Sequence, residues 1–180
     1  ISWEGDEKMR MKSLRDNYFN LIDFGDSLLV RTARLKEWMD GYVNLYGELA
    51  TTIELRDSLF TLAGKTAIEK ARTGHPLIYG WMADYFFNGF ESFNITEGIE
   101  MLGPYLDDPR CLTSKRQEIN KRIAGISNLR AGTPAPQIIM TDKDGTVFNL
   151  YSRESDKKYT LLLFWSADCS HCAETIESIY

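Results

Sequence analysis

The chain has 180 residues, of which 43% are hydrophobic and 26% charged, a composition that indicates a folded globular protein and excludes disordered, collagen-like or coiled-coil chains. Its 26 acidic and 21 basic residues give a formal net charge of -5, which argues against a protein that mainly binds nucleic acid or anionic membranes. The longest apolar run, residues 161–165, is far shorter than the ~18 residues of a membrane-spanning helix. No membrane span is expected.

Helical periodicity runs through residues 1–130. Apolar residues recur every three or four positions in segments 8–22, 35–46, 51–73 and 75–93, each of which predicts an amphipathic helix. The fourth segment is apolar over so much of its surface that it predicts a helix buried on most sides. Its aromatic residues are therefore interpreted as core, with the lining of a ligand groove as the alternative. Shorter helices follow, and the region as a whole is predicted to be all-α.

Single residues predict two of the helix boundaries. Gly74 is predicted to end the third helix in the left-handed conformation, and Pro76 to occupy the first turn of the fourth. His75 then belongs to the turn between them. Ser114 and Gln117 have the spacing of a capping box, which predicts a later helix with Ser114 as its N-cap.

The helical pattern stops at residues 131–136, where two prolines and a glycine disfavour helix. This change predicts a domain boundary, with a helical domain over 1–130 and a second module over 131–180. The second module opens with two short apolar stretches on either side of an Asp-Lys-Asp-Gly turn at 142–145. That arrangement predicts a β-hairpin.

The remainder of the second module predicts a strand followed by a helix. Residues 159–165 are almost continuously apolar, as expected of a central strand covered on both faces. Helical character resumes at Glu174 and continues to Tyr180. Cys169 and Cys172 therefore fall at the predicted strand-to-helix turn, where the first thiol is exposed.

The segment Cys169-Ser170-His171-Cys172 has the spacing that disulfide exchange requires. One thiol must be exposed as thiolate, and a second must lie close enough to attack the resulting mixed disulfide. Near a helix start, unpaired amides and the positive end of the helix dipole stabilise a thiolate at Cys169, which predicts Cys169 as the nucleophile. Cys172 is then the resolving thiol, and His171 is predicted to lower the pKa of Cys169 by its charge or a hydrogen bond.

A structural zinc site is the main alternative for this cysteine pair. Such a site needs four ligands, and the further candidates are Cys111, His75 and His171, with no second pair at zinc-finger spacing. A buried structural pair is the other alternative. Cys111 is interpreted as a lone structural or weakly exposed thiol, and no metal or cofactor is predicted.

The second module resembles a known family. The features that carry the resemblance are Ala135-Pro136 before the hairpin, a strand ending at Leu150, and Phe164-Trp165-x-x-x-Cys169-x-x-Cys172. They resemble the thioredoxin-like thiol-disulfide oxidoreductases of the TlpA/ResA group in the bacterial envelope. Segments 17–24 and 29–32 are similar to an uncharacterised helical domain that precedes such modules.

The resemblance implies a fold, an activity and a location. The fold would be an all-α helical domain followed by the N-terminal part of a thioredoxin-like α/β fold, comprising the hairpin, central strand and cysteine helix. The activity would be thiol-disulfide exchange with protein thiols or disulfides and an upstream redox partner, in the periplasm or cell envelope. Cys-x-His-Cys also resembles the more oxidising pairs of disulfide isomerases and of the periplasmic oxidant DsbA. A targeting leader is expected to lie outside the sequence.

The second module is shorter than the family's fold, which continues through further strands and a cis-proline loop. We therefore expect that the chain is a fragment of a longer parent, or that a partner completes its sheet. Exposed strand edges invite pairing, so self-association through the incomplete sheet is also expected. The chain alone is expected to have little activity. The alternative function is a non-enzymatic helical interaction module with an inert thioredoxin-like segment.

Overall fold

The computed structural model describes residues 7–151, 159–166 and 168–179. Short 3-10 helices at Tyr18–Leu21 and Ser27–Arg31 lie between the first two α-helices. The α-helices and strands are, in chain order, α1 (Glu7–Asn17), α2 (Ala33–Gly47), α3 (Ile53–Arg72), α4 (Pro76–Phe93), α5 (Thr96–Met101), α6 (Gly103–Leu106), α7 (Arg116–Asn128), β1 (Ile139–Thr141), β2 (Val147–Asn149) and α8 (Ser170–Ile179).

Contacts between residues divide the chain into two compact units, Ile1–Ala135 and Pro136–Tyr180. The division falls inside the proline-rich segment, with α1 to α7 before it and β1, β2 and α8 after it. That each unit is a domain able to fold alone stays a prediction. Among the described residues, no helix is both long enough and apolar enough to cross a membrane.

Helix α4 forms the centre of the first unit's core. It packs against α3 and α5, and buried side chains such as Tyr79, Met82, Phe86 and Phe87 cover most of its circumference. Removing a large apolar side chain from water stabilises a fold by about 1.5–3 kcal/mol, so this helix contributes much of the unit's stability. The prediction that the aromatics of this segment are mainly core is confirmed.

The predicted left-handed Gly74 is wrong. The described residues with a positive φ are Asn94, Gly132 and Gly145. Gly74 is not among them, so it does not end the helix in the left-handed conformation. Glycine is needed there because a Cβ would collide with the backbone carbonyl of Phe24. That carbonyl accepts a hydrogen bond of 2.7 Å from the His75 amide.

The start of α4 is as predicted. Pro76 is its first residue, and His75 is the N-cap whose Nδ1 accepts a hydrogen bond from the Leu77 amide at 3.2 Å. Proline suits this position because the first amides of a helix have no partner within the helix.

The predicted capping box at Ser114 is also wrong, since α7 begins at Arg116. The Ser114 hydroxyl and amide instead donate to the Asp84 carboxylate on α4, at 2.6 and 3.0 Å. The Thr113 hydroxyl donates to the same carboxylate. A contact between distant segments therefore takes the side chain that a local cap would use.

The predicted β-hairpin is confirmed. Strands β1 and β2 pair antiparallel, with Met140 opposite Phe148. The Asp142 carboxylate accepts hydrogen bonds from the amides of Asp144 and Thr146, at 2.9 and 2.8 Å, and the first cause of its lowered pKa is the bond from Thr146. Gly145 adopts φ 84°, which a residue with a side chain rarely does.

The predicted central strand does not form in the described residues 159–166, which belong to no strand. Most of their apolar side chains are open to solvent, with Leu161 72%, Phe164 83% and Trp165 60% exposed. A strand forms only by pairing with a neighbouring strand, and the sheet of the described residues contains β1 and β2 without this run. Helix α8 also begins at Ser170, before the predicted start at Glu174.

A fragment of residues 1–135 is expected to fold alone, because every fully buried apolar side chain of the described residues lies between Phe19 and Ile119. We expect a helical far-ultraviolet circular dichroism spectrum and a cooperative urea transition for this fragment. An unfolded spectrum would show that residues after 135 are needed.

Gly80→Ala is expected to destabilise the chain by about 1–3 kcal/mol, the usual cost of overpacking a core. A Cβ at this position in α4 would collide with the backbone of Leu112 and Thr113. The matched control is Gly125→Ala in α7, where a Cβ meets nothing within 4 Å. That change should stabilise the chain by about 0.5–1 kcal/mol. Urea unfolding followed by circular dichroism measures both, and a stabilising effect at Gly80 would contradict the predicted collision.

Candidate functional site

The candidate site is the turn that leads into α8. The Cys169 amide donates to the Ser166 carbonyl at 3.1 Å, and the Asp168 amide lies 3.4 Å from the Ser166 hydroxyl. These bonds join Ser166 to the two residues that precede Ser170, the first residue of α8. Ser166 was not predicted to belong to the site, although serine at the start of a turn favours such a local bond.

Cys169 and Cys172 form a disulfide, with their Cα atoms 5.2 Å apart. Residues three apart lie on one side of a helical turn, which brings the two sulfur atoms together. Both residues are half-buried. The predicted proximity of the two cysteines is therefore confirmed, while their separate roles as nucleophile and resolving thiol stay predictions.

The helix start places a hydrogen-bond donor on Cys169. The backbone amide of Cys172 lies 3.2 Å from the Cys169 sulfur and 3.1 Å from the Cys169 carbonyl oxygen. Amides in the first turn of a helix have no helical acceptor, and they carry the positive end of the helix dipole. That the same amide and dipole favour a thiolate at Cys169 in the reduced chain stays a prediction.

Two other ionisable residues lie next to the pair in the sequence. Asp168 is exposed and directly precedes Cys169, so its carboxylate opposes a thiolate there through an interaction that water screens. His171 is part of α8 between the two cysteines, while its side chain lies outside the described part of the structure. The predicted action of His171 on Cys169 stays a prediction.

Cys111 differs from the candidate pair in its burial and in its disulfide bonding. Its side chain is fully buried in the first unit and makes no disulfide. Burial raises the pKa of its thiol, and the nearby Arg116 guanidinium donates to the Cys111 carbonyl at 2.7 Å rather than serving a ligand site. Among the described residues, no group of three or more histidine, cysteine, aspartate or glutamate residues is placed to hold a metal ion.

No family model matches the chain, and no curated protein matches it. Among solved structures, a thioredoxin-like protein from Bacteroides caccae aligns with 99% of this chain at 16% sequence identity and a TM-score of 0.52. The chain spans 64% of that protein's length. This likeness shows a thioredoxin-like fold and so confirms the coarser prediction. Membership of the TlpA/ResA group stays a prediction.

In the reduced chain, iodoacetamide is expected to alkylate Cys169 at least ten times faster than Cys111 at pH 7. Cys169 is half-buried beside a donating amide, whereas Cys111 is fully buried and its pKa is raised by burial. Mass spectrometry of the digested protein measures both rates. Alkylation of the protein unfolded in urea is the control, because unfolding should bring the Cys111 rate close to that of an ordinary thiol. Equal rates in the folded chain would contradict the prediction.

Proposed function

We propose that this chain carries the redox centre of a thiol-disulfide oxidoreductase of the bacterial envelope, acting through Cys169 and Cys172. The observation that carries the proposal is the disulfide across the first turn of α8, with the Cys172 amide against the Cys169 sulfur. The thioredoxin-like fold of the Bacteroides caccae neighbour supports it. The location rests on the resemblance of the cysteine motif and its flanks to the TlpA/ResA group.

The proposed reduction of a substrate disulfide has two steps. The Cys169 thiolate attacks one substrate sulfur, forms a mixed disulfide and releases the other substrate sulfur as a thiolate, which takes up a proton. Cys172 then loses its proton and attacks the Cys169 sulfur, which releases the second substrate thiolate and forms the Cys169–Cys172 disulfide. Two electrons pass from the protein dithiol to the substrate. The same steps in reverse oxidise a substrate dithiol.

Cys169 is the better candidate for the first step because the helix start stabilises its thiolate. A thiol attacks fastest when its pKa lies near the ambient pH, and a lower pKa also makes the sulfur a better leaving group. Cys172 lies within the helix, and its amide donates to the Cys169 sulfur. The donor at the helix start therefore acts on Cys169 and not on the Cys172 sulfur. The pair is therefore asymmetric, as sequential attack and resolution require.

The partners follow from this chemistry. Substrates are protein thiols or disulfides, and an upstream redox partner regenerates the pair. This chain spans 64% of the length of the Bacteroides caccae protein. The full exchange activity is therefore proposed for a longer polypeptide that contains these residues. In that arrangement the helical unit is an element appended to the redox module.

Cys172→Ser is expected to trap a mixed disulfide between Cys169 and glutathione when the reduced variant is mixed with oxidised glutathione. Without a resolving thiol, the adduct cannot pass to the intramolecular disulfide, so intact-mass spectrometry should find one glutathione on most chains. Digestion should place it on Cys169. The matched control, Cys169→Ser, should accumulate the adduct at least ten times more slowly.

Equal adduct rates in the two variants would contradict the assignment of the nucleophile. Absence of an adduct in both would favour the alternative of an inert module. His171→Pro extends the same design, since the proposal expects slower adduct formation at pH 6 and a more reducing couple in the otherwise unchanged chain. Unchanged rate and potential would leave His171 as a spacer.

A further inference from the structure

An open cavity of about 300 Å³ lies in the first unit between α2, α3 and α4. Its apolar wall is formed by Val43 from α2, Phe60 from α3, and Phe86 and Phe93 from α4. The Phe60 and Phe93 rings meet edge to face with centroids 5.8 Å apart. Phe93 remains half-exposed although it is large and apolar. A hollow with aromatic walls is therefore left open beside a densely packed core.

Gly89 keeps this hollow open. It lies within α4, lines the cavity, and a Cβ added to it would meet nothing within 4 Å. Glycine inside a helix costs about 0.5–1 kcal/mol relative to alanine, and no close approach of another segment requires it here. The situation differs from Gly80 in the same helix, where the backbone of a neighbouring segment fills the space.

Three of the polar side chains that line the cavity form one hydrogen-bonded cluster. The Lys36 ammonium donates to one Asp40 carboxylate oxygen at 2.6 Å, and the Tyr85 hydroxyl donates to the other at 2.8 Å. Burial raises the pKa of Asp40, but the bonds from Lys36 and Tyr85 outweigh it and hold the pKa below its ordinary value. Asp40 is therefore a carboxylate, and each of its oxygens can accept a further bond.

The charge balance restricts the ligand. Lys36 and Asp40 already compensate each other, and a charged ligand would lose hydration against the phenyl rings without meeting an uncompensated partner. The Tyr85 proton is directed to Asp40, so in this cluster Asp40 and Tyr85 both offer acceptors. A neutral ligand with a hydroxyl group fits, because it can donate to Asp40 and accept from one of the remaining Lys36 protons.

Size and shape restrict the ligand further. A cavity of roughly 150 Å³ accommodates benzene, so about 300 Å³ has room for two fused rings. Aromatic rings prefer offset or edge-to-face contact with other rings, and Phe60 and Phe93 offer such surfaces. The Arg56 guanidinium covers one face of Phe93 at 5.1 Å from the centroid and so fixes which surface of the half-exposed ring is available.

We propose that this cavity is a binding site for a small neutral two-ring aromatic alcohol, with its rings against Phe60 and Phe93 and its hydroxyl donating to Asp40. The site is independent of the cysteine pair, since every residue that forms it belongs to the first unit.

The test is calorimetric titration of the full chain with 2-naphthol. One molecule is expected to bind per chain. Naphthalene, which lacks the hydroxyl, should bind at least fivefold more weakly, and naphthalene-2-sulfonate, which is charged, at least tenfold more weakly. Failure of 2-naphthol to bind at millimolar concentration, or equal affinity for 2-naphthol and naphthalene, would overturn the proposal.

Three variants locate the binding. Gly89→Leu places a side chain in the cavity and should weaken 2-naphthol binding at least tenfold, whereas Gly125→Leu, at the other open helical glycine, should leave it unchanged. Asp40→Ala should reduce the affinity for 2-naphthol to that for naphthalene, with naphthalene unaffected. Circular dichroism confirms that each variant is folded. Unchanged binding in Gly89→Leu, or an equal loss in Gly125→Leu, would show that the ligand binds elsewhere.

Discussion

The enclosure of α4 is the constraint on which the first unit depends. A helix that is apolar over most of its circumference must be covered on most sides, and α3 and α5 pack directly against it. The segment before α7 closes a further side, because glycine at position 80 lets the backbone of Leu112 and Thr113 lie directly against the helix. The Asp84 carboxylate then fastens Thr113 and Ser114 to the same helix. Close packing and hydrogen bonds therefore hold the same segment, residues 112–114, against α4.

Helix periodicity predicted this unit well because its information is local. Segments with apolar residues at helical spacing became α2, α3 and α4, and Pro76 began α4 as expected. The errors occurred where a distant segment decided the outcome. The carbonyl of Phe24 determines why position 74 is glycine, and the Asp84 carboxylate takes Ser114 away from the helix that it would otherwise cap. Neither partner is visible from the sequence around the affected residue.

The second unit shows the same division between local and distant information. The hairpin was predictable because its turn is held by bonds within 142–146, chiefly to the Asp142 carboxylate. The run at 159–165 reads as a buried strand because its residues are apolar, yet strand formation needs a neighbour with free amides and carbonyls. The described residues supply the hairpin alone. Apolar composition therefore indicated that the run needs a neighbouring strand, while among the described residues the run is part of no sheet.

The geometry of the candidate redox pair does not depend on strand pairing by the residues before it. Cys-x-x-Cys spacing predicted the proximity of the two sulfur atoms because three residues of a helix suffice to produce it. The bonds at Ser166 and the amide of Cys172 are equally local, so the disulfide forms although the described residues 159–166 belong to no strand. Discrimination among substrates requires more than these contacts, since a few bonds around one sulfur atom contact little of a protein substrate. If the proposed function holds, the chemistry of exchange depends on residues around Cys169 and Cys172, and the choice of substrate depends on surface outside them.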